Sequence, residues 1–329
     1  MGSHFVRHLH NTYPEYHIWN LDLLTYAGNP ENLLDIESSS RYHFIRGDIG
    51  ERPLVEDLLH KNSFEIVINF TAESHVDRSI VDAFQFIKTN IQGAYVLLEA
   101  VRKYKIPRFI YISTDEIYGD VPPSIKTPET YPLNPTNPYA ASKAAADLMV
   151  QSYIKTHRVP ALIVRSSNNF GTHQYPEKLH ALVISNLIEN QKIPVHGSGR
   201  HIRSWIHVQD FCNALDLIMH QAPDFQTYNV AGEEKNNIEV IKAICSVLQK
   251  DPREYIVYVN DRPGADLRYS SNIEKIQNEF NWQIQYPYQD SIEKVVDWYR
   301  VNKDWWMKIK ETQEFQEHYK KQSRGDYDL

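Results

Sequence analysis

The chain is short of several features that would each define a class of protein. It has two cysteines, Cys212 and Cys245, in 329 residues. They form no CxxC and no disulfide framework, and each sits inside a helix-like apolar pattern. They read as buried, inert thiols in a reducing cytosol. The formal net charge is −7 and no long basic run interrupts it. Nucleic acid is thereby excluded as the main partner, because neutralising phosphates takes clustered lysine and arginine. No apolar stretch approaches the roughly 18 residues of a membrane span, and no basic-then-apolar leader opens the chain. Internal repeats and low-complexity linkers are missing too. Fifteen histidines raise the question of a metal, and His4 and His8 stand at i, i+4. Without an HExxH or a Cys/His ligand set beside them, no metal is expected.

What is present is an alternation. Short apolar runs at 17–24, 42–48, 65–72, 108–114 and 161–167 read as strands, with helical stretches such as 82–104 and 138–157 between them. Strands apolar on both faces and separated by helices imply an α/β fold, a doubly wound, Rossmann-type parallel sheet. Asn137 can cap the helix at 138, and Pro138 suits its first position. Beyond 170 the rhythm loosens. Helices are expected near 177–190, 209–220, 237–250 and 288–302, and strands at 193–197 and 256–262. The polar, aromatic tail from about 303 reads as a helix followed by a solvated end.

Two short stretches carry chemistry. "STDEIYGD" (113–120) follows a buried strand and sets Asp115 beside Glu116. Adjacent carboxylates repel each other and resist burial, so the pair suits an acid and a base better than a structural loop. In open α/β sheets, ligands bind beyond the carboxyl ends of the strands, where this stretch lies. "YAASK" (139–143) puts Tyr139 and Lys143 on one face of a helix. An ammonium near the phenol would favour phenolate and lower the tyrosine toward use as a base.

Taken together the motifs resemble the extended short-chain dehydrogenase/reductase superfamily and, within it, the dTDP-glucose 4,6-dehydratases. The resemblance rests on "LDLLTYAGN" (21–29), "GDI" (47–49), "TAESHVDRSI" (71–80), "STDEIYGD", "NPYAASKAAAD" (137–147), "RSSNNFG" (165–171), "YPEKL" (175–179), "IRSWIHVQD" (202–210) and "DRPGADLRY" (261–269). It implies a lyase that uses NAD. Tyr139 would take the proton of the sugar C4 hydroxyl as hydride passes to NAD, with Thr114 near the C4 oxygen. Glu116 would remove the C5 proton and Asp115 would protonate the departing C6 hydroxyl. NAD is expected at Gly2, Asp22, Asp48, Ile49, Thr71, Ala72, Ser74, Thr89, Ser113, Tyr139 and Lys143. Asp22 would hold the ribose hydroxyls and repel a 2′-phosphate. The nucleotide-sugar is expected at Asn169, Glu177, Lys178, Leu179, Arg203, Asn237 and Arg262, the arginines suiting a diphosphate. Residues 1–168 would form the NAD region and 169–329 mainly the substrate region, with segments near 202–232 returning to the first. A cytoplasmic homodimer is implied as well, through the helices at 82–104 and 138–157.

The sequence departs from that family at its start. Gly2 matches the last glycine of the family's glycine-rich loop, so a strand before it and most of the phosphate cradle are expected to be absent, leaving neighbouring strands unpaired on one side. Smaller departures at His196, Thr172 and Ala265 leave the base preference open. Two other readings stay beside the lyase: a nucleotide-sugar 4-epimerase or decarboxylase of the same fold, and a non-catalytic nucleotide-sugar-binding relative. Epimerases typically carry small, non-acidic residues where Asp115 and Glu116 stand.

Overall fold

The computed structural model describes residues 1–326. The first half runs α1 (Gly2–Thr12), β1 (Ile18–Asp22), β2 (Tyr42–Arg46), α2 (Arg52–Lys61), β3 (Ile66–Asn69), α3 (Val76–Val81), α4 (Phe84–Phe86), α5 (Ala94–Tyr104), β4 (Arg108–Thr114), α6 (Pro138–His157) and β5 (Ala161–Ser166). The second half runs β6 (Asn168–Phe170), α7 (Leu179–Ile188), β7 (Ile193–His196), β8 (Ile202–His207), α8 (Val208–Gln221), β9 (Thr227–Val230), β10 (Glu233–Asn236), α9 (Asn237–Val247), α10 (Pro252–Tyr255), β11 (Ile256–Val259), α11 (Glu274–Phe280), α12 (Tyr288–Val301), α13 (Lys303–Lys310) and α14 (Gln313–Gln322).

The main sheet is parallel, in the order β3-β4-β5-β9. β1 and β2 form a separate parallel pair. Both faces of the main sheet are covered, as parallel strands require. On one side Ile110, Ile112, Leu162 and Val164 pack with Phe5 and Leu9 of α1 and with Phe211 and Leu215 of α8. On the other, Phe109, Tyr111, Ala161 and Ile163 pack with Val55 of α2, Leu97 and Val101 of α5, and Val150 of α6. A third core joins α7, α9 and α12 under β7 and β8. Three-stranded β10-β8-β6 and the pair β11-β7 complete the second half.

Two expectations need correction. The stretch 82–104 is not one helix. Asp82 leaves helical geometry after α3 and its Oδ1 accepts the Phe84 N–H at 2.8 Å. Ile87–Gly93 then winds as a wide π-type turn before α5. That turn admits the Asn90 side chain, which accepts from Glu73 N (2.9 Å) and donates to Glu73 O (3.0 Å) and Ser142 Oγ (2.8 Å). Gly93 closes it because a Cβ there would stand 2.6 Å from Ile49 Cδ1. Nor is the tail a helix with a solvated end. Trp306 of α13 and Phe315 of α14 are buried, and α14 docks so that Gln322 Nε2 donates to Glu177 O at 3.2 Å. A polar average conceals single aromatic anchors.

Candidate active site

β4 delivers the chain to the site through a forced turn. After Thr114 the backbone winds into one tight helical turn, Asp115–Tyr118. Thr114 Oγ1 accepts the Glu116 N–H at 3.3 Å. The turn ends at Gly119, at φ +72°, where a Cβ would lie 2.1 Å from the Asn134 carbonyl oxygen. Only glycine permits that approach. The turn drives both carboxylates inward: Asp115 is 1% exposed and Glu116 8%.

Burial first, and the neighbouring Glu116 charge second, push the Asp115 carboxyl up to about 8, with Arg203 opposing. Its Oδ2 is buried without a hydrogen-bond partner among the described residues. Burial also raises Glu116, against the pull of Arg203 and Lys178. Two neighbouring carboxyls that both favour the protonated form, with cations facing Glu116, suit one acid and one base.

α6 begins as its sequence dictates. Asn137 Oδ1 accepts the Ala140 N–H at 2.9 Å, with Pro138 in the first turn. This aims Tyr139 and Lys143 at the end of β4, both buried. Lys143 Nζ donates to Ile112 O at 2.6 Å and lies 4.4 Å from the Tyr111 ring centre. Burial pulls it down to about 7. The expected lowering of Tyr139 by Lys143 does not hold here. Desolvation, and then the Glu116 charge, hold the phenol above its ordinary value, with a hydrogen bond to Thr114 opposing.

One cavity of about 1240 Å³ connects these groups to the rest. Thr114, Glu116, Tyr139, Lys143 and Ser113 line its middle. Gly2, Asp22, Ile49, Thr71, Ala72 and Ser74 line one arm, and Asn169, Glu177, Lys178, Leu179, Arg203, Asn237 and Arg262 the other. Three of the expected residues stay off its wall. Asp115 is almost wholly buried, Thr89 sits in the wide turn before α5, and Asp48 accepts the Gly50 N–H (2.8 Å) and faces Lys88 (3.5 Å). Asp22, exposed at the end of β1, accepts the Leu24 N–H at 2.7 Å.

The far arm is a charged cluster. Glu177 meets Arg78 (3.4 Å), Lys178 (3.8 Å) and the Tyr26 hydroxyl (3.2 Å). Lys178 Nζ also donates to Ser74 O at 2.8 Å. Arg203 lies over Tyr269, 4.1 Å from its ring centre, and donates to Asp266 O at 2.9 Å. Arg262 Nη2 donates to Asp77 Oδ2 at 3.2 Å. Asn169 Nδ2 donates to Ser166 Oγ at 2.9 Å, and its Oδ1 is buried without a partner among the described residues.

Residue-by-residue reading missed part of this arm. His75, Asp77 and Arg78 belong to "TAESHVDRSI", so the signal was there. Tyr26 likewise belongs to "LDLLTYAGN", whereas His318 had no signal, since it arrives from the distant tail. His75, Glu177 and His318 bring ligating atoms within 4.8 Å of one another. Arg78 and Lys178 already face that carboxylate. His4 Nε2 donates to Thr172 O (3.0 Å) and His8 pairs with Asp216 (2.8 Å), each in its own contact.

Comparison with known proteins gives three kinds of match. The family model described as GDP-mannose 4,6 dehydratase matches residues 1–295. The dTDP-glucose 4,6-dehydratase of Xanthomonas campestris pv. campestris is 43% identical over 304 residues, covering 87% of each chain. Two solved dTDP-glucose 4,6-dehydratases superpose on the fold. The one from Bacillus anthracis str. Ames, in complex with NAD, has a TM-score of 0.88 at 38% identity. It covers 94% of this chain and 96% of its own. The one from Streptomyces venezuelae, with NAD and TYD bound, has a TM-score of 0.90 at 37% identity, with the same coverage.

Proposed function

This chain belongs to the nucleotide-sugar 4,6-dehydratases, with dTDP-glucose 4,6-dehydratases among its relatives, and from that premise we propose that it dehydrates dTDP-glucose to the 4-keto-6-deoxy sugar. The cofactor of the reading is NAD, and the donor set fits it. Asp22 stands on the cavity wall at the end of β1, where ribose hydroxyls can be met. The N–H groups of Gly2, Ser3 and His4 open α1 with no side-chain cap, which suits a diphosphate. Ser113 Oγ is buried without a partner among the described residues, close to the ammonium-bearing α6. When bound, NAD supplies the hydride acceptor for C4, the hydride returned to C6, and a positive ring charge that favours phenolate.

The chain's own residues move the protons. Tyr139 accepts the C4 hydroxyl proton, and Thr114 holds the C4 oxygen. The C4 ketone acidifies C5, and Glu116 takes the C5 proton. Asp115 gives its proton to the C6 hydroxyl, which leaves as water. Lys143 positions the cofactor's sugar, and Arg203, Arg262 and Lys178 meet the substrate diphosphate. In this reading residues 1–168 hold NAD, with segments near 202–232 returning to that region. Residues 169–329 hold mainly the nucleotide-sugar.

The observation that carries the reading is the buried Asp115–Glu116 pair, whose acid member keeps its proton through neutral pH. The test combines protein, NAD and dTDP-glucose and reads the absorbance of the 4-keto-6-deoxy product in alkali. Asp115→Asn and Glu116→Gln should each cut its formation by about 10²- to 10⁴-fold. Undiminished dehydration in either variant overturns the assignment. A 4-epimer without the alkali signal selects the epimerase reading, and binding without turnover selects the non-catalytic one.

The reading includes a cytoplasmic homodimer. Val81 (55%), Phe84 (65%), Ile87 (51%) and Leu148 (53%) expose apolar side chains along α3 to α6. Exposed apolar side chains on these segments support that reading. Phe84→Asp should halve the mass seen in sedimentation.

A further inference from the structure

Arg165 is a permanently charged side chain, 2% exposed, that none of the proton transfers above employs. It stands on β5 between Ser113 of β4 and Asn229 of β9. Strand alternation sends it to the same face as Ile163, toward α6. Its Nε and Nη2 fork onto the Asp147 carboxylate of α6, at 3.0 and 2.9 Å. Its Nη1 donates to the Tyr118 hydroxyl and to Glu129 O, each at 2.8 Å. Asp147 follows Lys143 and Tyr139 at helical spacing on one side of α6. Tyr118 is the last residue of the turn that carries Asp115 and Glu116. One guanidinium therefore joins the element bearing the phenol and the amine to the element bearing the two carboxyls.

The hydrogen bonds at the Tyr118 hydroxyl run in one direction. Asn229 Nδ2 donates to Thr127 O (3.0 Å) and Asn272 O (3.1 Å), so its Oδ1 is left to accept from Tyr118 at 2.8 Å. The hydroxyl gives its proton to Asn229 and takes its other bond from Arg165, which can only donate. Both neighbours are fixed, Arg165 by its carboxylate fork and Asn229 by its buried amide contacts. The Tyr118 ring packs with Ile117 and with Ala144 of α6 in a small enclosed cluster. In a tight turn of roughly three residues per rotation, Asp115 and Tyr118 share a side. Holding the hydroxyl thus fixes the rotation of the turn and the aim of the Asp115 carboxyl. Tyr118, Asp147, Arg165 and Asn229 all lie off the wall of the large cavity.

We propose, resting on the dehydratase reading, that Arg165 is a positioning residue for the elimination step: through the Tyr118 hydroxyl it sets the rotation of the Asp115–Tyr118 turn against the helix that carries Tyr139. Oxidation at C4 depends on Thr114, at the end of β4, and on Tyr139 of α6, both outside the turn. Elimination depends on Asp115 and Glu116, within it. Loosening the turn therefore slows the second step and spares the first.

Tyr118→Phe deletes only the hydroxyl and leaves Arg165 its bonds to Asp147 and Glu129. With NAD and dTDP-glucose, its kcat should fall by about tenfold or more while KM stays within about twofold. The absorbance of reduced nicotinamide should build up during turnover to a level the parent does not reach, because C4 oxidation continues while elimination lags. Arg165→Lys, which cannot fork and reach the hydroxyl together, should show the same pattern with a larger loss. A second readout needs neither NAD nor sugar. The N–H groups of Glu116 and Gly119 close the turn, and their hydrogen exchange should quicken by about tenfold in Tyr118→Phe. An unchanged kcat, a rise in KM alone, a loss of turnover without build-up of reduced nicotinamide, or unchanged exchange at those two amides each overturns the proposal. If the parent itself forms no 4-keto product, the dehydratase reading fails by its own test, and the exchange at Glu116 and Gly119 still decides whether Arg165 holds the turn.

Discussion

The centre of the main sheet and the strands β1 and β3 are both built from apolar runs, yet they differ in burial. All of β5 is buried, and so is β4 beyond Arg108. In β3 only Asn69 is buried, and in β1 no residue is. The centre also encloses a fully hydrogen-bonded ion pair. Arg165 donates to both Asp147 oxygens, at 3.0 and 2.9 Å, to the Tyr118 hydroxyl and to Glu129 O, with its partner carboxylate fully enclosed. Burial therefore reflects the neighbours a strand has on each edge and face, and hydrophobicity alone does not supply it. Thr114, Asp115 and Glu116 follow the enclosed strand β4, whereas Asp22 ends the half-exposed β1.

That contrast can be broken most severely at the chemistry. Tyr139→Phe should lower turnover by about 10³-fold while leaving the urea midpoint nearly unchanged. Removing the central ion pair comes next. Arg165→Met strands the Asp147 carboxylate in the interior and should cost about 3–5 kcal/mol in urea unfolding. The direct comparison of the two regions is a pair of truncations. Ile163→Ala in β5 should cost about 3–4 kcal/mol, and Ile68→Ala in β3 about 1–2, because the second site is only half enclosed. Equal losses would erase the distinction.

A pH series separates the halves further. Asp115 holds its proton up to about 8 in the folded chain, whereas an unfolded aspartate ionises near its ordinary value. Between those pH values folding takes up a proton, so stability falls as pH rises through the window. The acid form that the proposed elimination requires is lost above about 8. Chemical denaturation of the parent against Asp115→Asn should show the steeper decline in the parent. The smallest effect is expected at the rim. Lys61→Ala breaks the exposed pair with Asp57 (2.8 Å) and should cost about 0.5 kcal/mol or less.

Much of the centre could be read from residue order. The strands at 108–114 and 161–166 and the helix at 138–157 lie where hydrophobic period, a cap and a proline set them. Those signals are local, so they survive in one dimension. The interruption at Ile87–Gly93 was not legible, because its cause is Asn90 reaching Glu73 and Ser142 from elsewhere in the chain. The docking of α14 was equally hidden. Phe315 and Gln322 are isolated among polar neighbours and find their partners only across the fold.

The sequence by itself determined the parallel doubly wound plan, the placing of Thr114, Asp115, Glu116, Tyr139 and Lys143 at strand and helix ends, and the membership those motifs announce. Tertiary structure alone decided that Asp115 is enclosed enough to stay protonated near neutrality and that Lys143 is turned to Ile112 O. It also gathered Tyr26, His75, Arg78, Glu177 and His318 into one wall, and it set β1 and β3 in separate sheets. The reason is common to all four. Proton affinity, ion pairing and sheet closure depend on the distance and dielectric between groups remote along the chain, and these exist only once the chain has packed.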